Sequence, residues 1–152
     1  MNIFVMRHGQ AECLAPSDRQ RKLTHFGINQ ARQQGLWLKS QNIHFDYALV
    51  SPYDRAQETF AAVSMALKVQ IKHENWDALT PHGCTDLVLD YLPLLEEQGV
   101  KNLLIVSHLP LVGFLVYDLC HTRHLIRFSP ATIAQINWDG NKGIFIQSKE
   151  PH

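Results

Sequence analysis

The amino-acid sequence predicts an α/β fold, a three-layer sandwich with a mostly parallel central sheet, helices on both faces of the sheet and an antiparallel edge. Two observations predict it. Short apolar runs alternate along the chain with segments in which apolar residues recur at helical spacing. The last two runs are separated only by Asp139-Gly140-Asn141-Lys142, a sequence typical of the turn in a β-hairpin.

The first half of the chain alternates strand and helix patterns. Residues 2–6 form a short, mainly apolar run, as expected for a strand buried on both faces of a sheet. Thr24 is a good N-cap for a helix that runs to about Ser40. Residues 47–51 are a second predicted strand, and Pro52 suits the first turn of the helix that follows. The apolar positions of that helix are Ala56, Phe60, Val63 and Leu67.

The middle of the chain continues this alternation. Residues 69–72 are a third predicted strand, and residues 75–83 are predicted to be a loop. A helical pattern covers residues 85–98, where Pro93 is expected to kink or restart the helix and Gly99 to end it.

The last third of the chain carries the clearest strand. Residues 102–107 are apolar almost throughout, and a helix starting at Leu109 or Pro110 is expected to run to about Cys120. Residues 132–138 and 143–148 form the two strands of the predicted hairpin.

Length and composition limit the classes of protein to consider. A chain of 152 residues with 45% apolar and 18% charged residues predicts a single globular domain spanning residues 1–152. The net charge of zero argues against a nucleic-acid-binding module, and no run approaches the roughly 20 apolar residues that cross a bilayer. Three scattered cysteines indicate reduced thiols, so a cytoplasmic location is predicted without nucleic-acid or membrane partners.

Three of the predicted strands end in polar residues suited to chemistry. These residues are Arg7, His8 and Gly9 after the first strand, Ser51 and Arg55 after the second, and Ser107 and His108 after the fourth. Ligand sites in such sheets lie beyond the carboxyl ends of the strands, so two arginines and two histidines are expected to converge there.

This set of side chains suits a phosphoryl group. An arginine keeps its charge and its planar fork matches two phosphate oxygens. A neutral histidine, here His8, can attack phosphorus, and Gly9 lets the backbone bend behind it and the phosphate approach closely. Arg55 falls in the first turn of a helix, whose dipole also favours an anion. The arginines take the part that magnesium plays in other phosphoryl-transfer enzymes, so no metal and no cofactor are predicted.

At these positions the sequence resembles the histidine phosphatase (phosphoglycerate mutase-like) superfamily, in particular its SixA-type phosphohistidine phosphatases. The resemblance covers nearly the whole chain. It is carried by Arg7-His8-Gly9, by Ser51-Pro52, Arg55-Ala56 and Thr59, by Ser107-His108, and ahead of the first helix by Asp18, Arg21, Leu23, Thr24 and Gly27. It implies that His8 becomes phosphorylated, that Arg7, Arg55 and His108 hold the phosphoryl group, and that Arg21 contacts substrate. Gly9 and Ser51 are further candidates for binding substrate.

One feature of the family has no clear counterpart. Many members carry an acidic proton donor after the second block, often within an inserted lid, but residues 60–106 leave no room for such a domain. The candidates for an acid are Asp18, Glu74 and Asp77. A site without a dedicated acid favours a leaving group that departs easily, such as the imidazole of phosphohistidine. The predicted substrate is therefore phosphohistidine on a partner protein, either a phosphotransfer domain or a carrier of the phosphotransferase system.

Two alternatives remain open from the sequence. One is a phosphomonoesterase or mutase acting on a small phosphorylated metabolite, and the other is a non-catalytic protein that binds phosphohistidine. The other histidines are expected to be mostly exposed, with His82 nearest the site, and His121 and His124 lack the third ligand of a zinc site. Cys13 is expected to be a small buried or rim thiol, not a nucleophile.

Overall fold

The computed structural model describes residues 1–121 and 126–152. In order along this part of the chain, the elements are β1 (Asn2–Arg7), α1 (His25–Ser40), β2 (Tyr47–Val50), α2 (Asp54–Leu67), β3 (His73–Asn75), α3 (Thr85–Glu97), β4 (Asn102–Ser107), α4 (Leu111–Cys120), β5 (Ile133–Trp138) and β6 (Gly143–Lys149). Short 3-10 turns lie at Asp18–Gln20 and Asp77–Leu79.

The strands form a mixed sheet in the order β3-β2-β4-β1-β5-β6. The first four strands in this order run parallel, and β5 and β6 add an antiparallel edge. The predicted α/β fold with a mostly parallel sheet and an antiparallel edge is confirmed. Because β4 lies between β1 and β2, the carboxyl ends of these three strands are neighbours.

Alternate residues of the strands face two separate cores. In β1, Ile3 and Val5 pack with residues of α3 and α4, whereas Phe4 and Met6 pack with residues of α1 and α2. The helices therefore cover both faces of the sheet, as predicted. Since strands from residue 2 to residue 149 share this one sheet, we propose that the chain forms a single domain.

The helix ends follow the sequence closely at α1. The Thr24 hydroxyl accepts a hydrogen bond from the backbone N–H of Gly27 at 2.9 Å, which is the predicted N-cap. In α3, by contrast, the expected restart at Pro93 is wrong, because the helix continues through it. Val88, Leu92 and Leu95 are buried on both sides of the proline, and their packing holds the helix together although one hydrogen bond is lost.

The predicted third strand is displaced. Lys68 ends α2 in the left-handed conformation, and Val69 is about half exposed, so residues 69–72 only lead into the sheet. The strand begins where His73 pairs with Ala48 of β2 and ends at Asn75, the first residue of the predicted loop. No helix among the described residues is long and apolar enough to cross a membrane.

Candidate active site

The carboxyl ends of β1, β2 and β4 are joined by backbone hydrogen bonds. Arg7, the last residue of β1, pairs with Ser107 of β4, and the N–H of His8 donates to the carbonyl of Ser107 at 3.0 Å. The N–H of Ser51 donates to the carbonyl of Val106 at 3.0 Å. The loops that carry the predicted site residues therefore begin at one edge of the sheet, as the parallel topology requires.

His8 is held in one tautomer. The side chain is buried, and its Nδ1 lies 2.7 Å from the carbonyl oxygen of Gly9. Because that oxygen can only accept, Nδ1 carries the proton. The Nε–H of Arg55 donates to Nε2 of His8 at 3.3 Å, and since arginine can only donate, Nε2 presents a lone pair. The nitrogen available for attack is Nε2.

The surroundings of His8 keep it neutral. Burial lowers the pKa of His8 from 6.5 to about 4, and the charges of Arg55, Arg7 and Arg21 act in the same direction. The hydrogen bond to Gly9 opposes this shift without cancelling it. The ring is thus unprotonated over the whole neutral range, which a nitrogen nucleophile requires.

His108 lies beside the nucleophile. The centroids of the two imidazole rings are 5.0 Å apart, and Nε2 of His108 lies 2.7 Å from the Ser51 hydroxyl. Burial, followed by the effect of His8, lowers the pKa of His108 to about 2. Its Nδ1 is buried without a hydrogen-bond partner among the described residues. If the Ser51 hydroxyl donates to Nε2, this free Nδ1 carries a proton and can donate to a ligand.

Arg55 is almost completely buried and anchored at its far end. Its Nη1 donates to the carbonyl of Asp18 at 2.6 Å and its Nη2 to the Asp18 carboxylate at 3.2 Å. The ring of Tyr53 lies 5.1 Å from the guanidinium carbon and 5.2 Å from the His108 ring. Sequence reasoning missed Tyr53. The only signal for it is an aromatic side chain between Pro52 and the helix of Arg55.

The other two predicted arginines differ in their surroundings. Nη1 of Arg7 donates to the carbonyl of Phe128 at 2.9 Å, and its Nε is buried and unpaired among the residues that the structure describes. Arg21 lies further out, with Nε on the carbonyl of Glu12 at 2.7 Å and Nη1 on the Asp18 carboxylate at 3.1 Å. Arg7 thus has a buried Nε–H that is available to a ligand, whereas Arg21 stabilises the loop that contains Glu12 and Asp18.

Gly9 allows a close approach of two loops. A Cβ at this position would lie 2.6 Å from the carbonyl oxygen of Gly27, at the start of α1. The N–H of Gly9 donates to the hydroxyl of Thr59 at 3.0 Å. Thr59 belongs to the group of residues from Ser51 onwards that carries the family resemblance, but no role was predicted for it. Its position four residues after Arg55, on the same helix face, is the signal that could have found it.

The three candidate proton donors, Asp18, Glu74 and Asp77, lie in different environments. Burial alone would raise the pKa of Asp18, but its hydrogen bonds with Arg21 and Arg55 outweigh that effect and lower it. Glu74 of β3 accepts a hydrogen bond from the hydroxyl of Tyr91 in α3. Asp77 is exposed at the start of a 3-10 turn. The structure therefore brings only Asp18 into contact with the arginines of the site.

The remaining described histidines and the thiol of Cys13 are exposed. The exposed histidines include His25, His44, His73, His82, His121 and His152, whereas His124 lies outside the described residues. Cys13 is an exposed free thiol rather than a buried one. No group of three or more histidine, cysteine or acidic side chains within residues 1–121 and 126–152 could hold a metal ion.

The two lowered histidine pKa values predict how stability depends on pH. A histidine whose pKa is lower in the folded state takes up a proton more readily when unfolded, so protonation favours unfolding. The free energy of unfolding should therefore fall as the pH decreases from 6.5 towards about 4 for His8, and further towards about 2 for His108. Urea denaturation at a series of pH values measures this slope, which should flatten in the His8→Gln, His108→Gln double variant. An unchanged slope in that variant would contradict the assignment.

Comparison with known proteins gives the family. Residues 3–80 match the model of the histidine phosphatase superfamily, branch 1. A phosphohistidine phosphatase SixA homolog from Haemophilus influenzae is 53% identical over 150 residues, which cover 93% of this chain and 91% of that protein. Phosphohistidine phosphatase SixA from Escherichia coli is 40% identical over 139 residues, with coverages of 91% and 86%.

A solved structure shows the same fold along nearly the full length. The structure of the protein histidine phosphatase SixA complexed with tungstate matches with a TM-score of 0.95 and 38% sequence identity, covering 99% of this chain and 97% of that one. The resemblance found at the three strand ends is confirmed, and the chain belongs to the histidine phosphatase superfamily, with SixA-type phosphatases among its relatives.

Proposed function

We propose that this protein is a phosphohistidine phosphatase that works through a phosphorylated His8. The observation that carries the proposal is the fixed, neutral tautomer of His8, whose Nε2 lone pair lies against Arg55. A protein that only bound phosphohistidine would need the arginines but no neutral nucleophile. The names of the relatives from Haemophilus influenzae and Escherichia coli support the same activity.

In the first step, Nε2 of His8 attacks phosphorus in line with the leaving nitrogen. A bond forms between phosphorus and Nε2, the bond to the substrate imidazole breaks, and that imidazole departs neutral because its other nitrogen carries a proton. The Nε–H of Arg55, which donates to Nε2 before substrate arrives, then donates to a phosphoryl oxygen. Nε of Arg7 is a buried donor for another oxygen, and so is Nδ1 of His108 in the tautomer in which the Ser51 hydroxyl donates to Nε2.

In the second step, water attacks phospho-His8 on the face that the product imidazole has left. The oxygen of water bonds to phosphorus, the bond to Nε2 breaks, and His8 recovers its lone pair while the protons of water remain with phosphate and solvent. The Nδ1–H of His8 stays on the carbonyl of Gly9 throughout. His8 is therefore regenerated in the tautomer that begins the next cycle.

We propose that the substrate is a phosphohistidine on another protein. Within residues 1–121 and 126–152, the acid that a phosphate ester needs for its leaving oxygen has no good candidate, since Asp18 is held ionised by Arg21 and Arg55. The partner would be a phosphotransfer domain or a carrier of the phosphotransferase system. The exposed free thiols of Cys13 and Cys84 support a cytoplasmic location for this reaction.

Activity should not require an added metal ion, because the arginines supply the positive charge. We expect turnover of a phosphohistidine protein to survive chelators. It should be inhibited by vanadate, which can adopt the geometry of five-coordinate phosphorus, and by tungstate, a tetrahedral analogue of phosphate, each bound between Arg7 and Arg55. Phosphate release measured with and without a chelator, and across a vanadate titration, tests both points. A strict requirement for magnesium or zinc would refute this part of the proposal.

A further inference from the structure

Thr59 connects the loop that carries His8 and Gly9 to the helix that carries Arg55 by hydrogen bonds. Its side chain is fully buried in α2, one turn after Arg55, and its hydroxyl lies 2.7 Å from the carbonyl oxygen of Arg55. The same hydroxyl lies 3.0 Å from the backbone nitrogen of Gly9. The carbonyl can only accept and the N–H can only donate, so the Thr59 hydroxyl donates to Arg55 and accepts from Gly9.

These contacts extend a chain of bonds that ends at the nucleophile. Nδ1 of His8 donates to the carbonyl of Gly9, the N–H of Gly9 donates to Thr59, and Thr59 donates to the backbone of Arg55. Each donor in this series of hydrogen bonds has one acceptor. The direction of each bond is fixed because a backbone carbonyl can only accept and a backbone N–H can only donate. The helix that carries Arg55 is thereby tied to the residue that sets the tautomer of His8.

We propose that Thr59 is a positioning residue for phosphoryl transfer, which acts through Gly9 to hold His8 in line with the phosphorus. This inference rests on the proposed function, because it assigns the group that orients the proposed nucleophile. Without the hydroxyl, the N–H of Gly9 loses its partner in a buried site, and the His8–Gly9 peptide keeps only the hydrogen bond from the N–H of Ala131 to the His8 carbonyl. A shift of this peptide would displace Gly9, and with it the carbonyl that holds Nδ1 of His8 and so the position of Nε2. Misplacement of a reacting atom by about 1 Å can cost roughly 10²-fold in rate.

The space around Gly9 supports this assignment. Because a Cβ on Gly9 would meet the backbone of Gly27, the His8 loop lies directly against the start of α1 and has little freedom on that side. On the other side of the loop, the N–H of Gly9 donates a hydrogen bond to the hydroxyl of Thr59. The carbonyl of the same peptide, that of His8, accepts from the N–H of Ala131 at 2.9 Å, so the Thr59 hydroxyl makes one of the two hydrogen bonds that fix the peptide after the nucleophile.

The test compares Thr59→Val, which keeps the shape of the side chain, with Thr59→Ser, which keeps the hydroxyl. Rapid quench with a radiolabelled phosphohistidine protein gives the rate constant of His8 phosphorylation, and tungstate titration gives the affinity of the phosphoryl site. We expect Thr59→Val to lower the rate constant by roughly 10²-fold while tungstate affinity is kept, since the arginines remain. Thr59→Ser should restore most of the rate.

The outcomes separate a positioning role from a structural one. If Thr59→Val loses thermal stability but phosphorylates His8 as fast per tungstate-binding site as the unchanged protein, the proposal is overturned. If that variant does not fold, Thr59→Ala replaces it, and equal rates in Thr59→Ala and Thr59→Ser would overturn the proposal as well. The unchanged protein distinguishes the two hypotheses, because failure to label His8 there would refute the proposed function rather than the role of Thr59.

Discussion

Replacing His8 with alanine is expected to abolish turnover of a phosphohistidine protein. The variant keeps Arg7, Arg55 and His108, so it should still bind phosphate and tungstate, but it has no nitrogen at the position from which Nε2 attacks. The expected loss is several orders of magnitude, because the remaining groups position the phosphoryl group without offering a covalent route. The rate of phosphate release, normalised to the number of tungstate-binding sites, measures it.

A matched control distinguishes the loss of the nucleophile from any general effect of replacing a histidine with alanine. His44 is exposed, and its backbone carbonyl accepts a hydrogen bond from the side chain of Asn102 at 3.0 Å. His44→Ala should therefore turn over at the rate of the unchanged protein. Full turnover by His8→Ala would exclude the mechanism, whereas loss of both turnover and tungstate binding would indicate that the substitution had disrupted the site.

Selectivity for phosphohistidine over phosphate esters is the second large expected effect. A positioned acid contributes roughly 10² to 10⁴ in rate when the leaving group is a poor one, and the ion-paired Asp18 does not provide it. An imidazole protonated on its other nitrogen needs no such help. We expect kcat/KM for a phosphohistidine protein to exceed that for 3-phosphoglycerate or a sugar phosphate by about 10² or more. Parallel assays of these substrates give the ratio, and equal values would favour a metabolite phosphatase.

Replacing the three acid candidates one at a time tests the same reasoning. Asp77→Asn and Glu74→Gln should leave kcat for phosphohistidine unchanged, because Asp77 is exposed and Glu74 is engaged with Tyr91. Asp18→Asn removes the carboxylate that anchors Arg55 and Arg21, and so should change phosphate affinity more than it lowers kcat. If one replacement removed turnover while phosphate binding stayed intact, an acid would exist and the substrate argument would fail.

The strand ends were the part of the site that sequence could predict. Arg7, Ser51 and His108 each follow an apolar run, and parallel strands must end at one edge of a sheet, so their convergence needed only the order of the elements. Tyr53 and the roles of Asp18 and Thr59 could not be predicted in this way. The hydrogen bonds of Asp18 with Arg55 and of Gly9 with Thr59 join segments that are far apart in sequence, so local spacing can single out Thr59 but not its partner. The contact of Tyr53 with His108 likewise depends on the pairing of β2 with β4.

The errors in the fold have the same origin. Val69 to Lys72 has strand-like residues, but the left-handed Lys68 and the register with β2 make the strand begin four residues later, at His73. Pro93 disfavours a helix locally, yet burial of Leu92 and Leu95 outweighs it. In both cases long-range packing and pairing decided the outcome against local preference.

The central claim is that His8 carries the phosphoryl group between two displacements. The most direct measurement mixes the protein with a radiolabelled phosphohistidine protein, quenches within milliseconds in base, and locates the label by mass spectrometry of the digested chain. We predict an acid-labile, base-stable phosphoryl group on Nε2 of His8 that appears before inorganic phosphate and decays at the rate of turnover. Phosphate release with no label on the protein at any time, or label on another residue at a rate that matches turnover, would contradict the account.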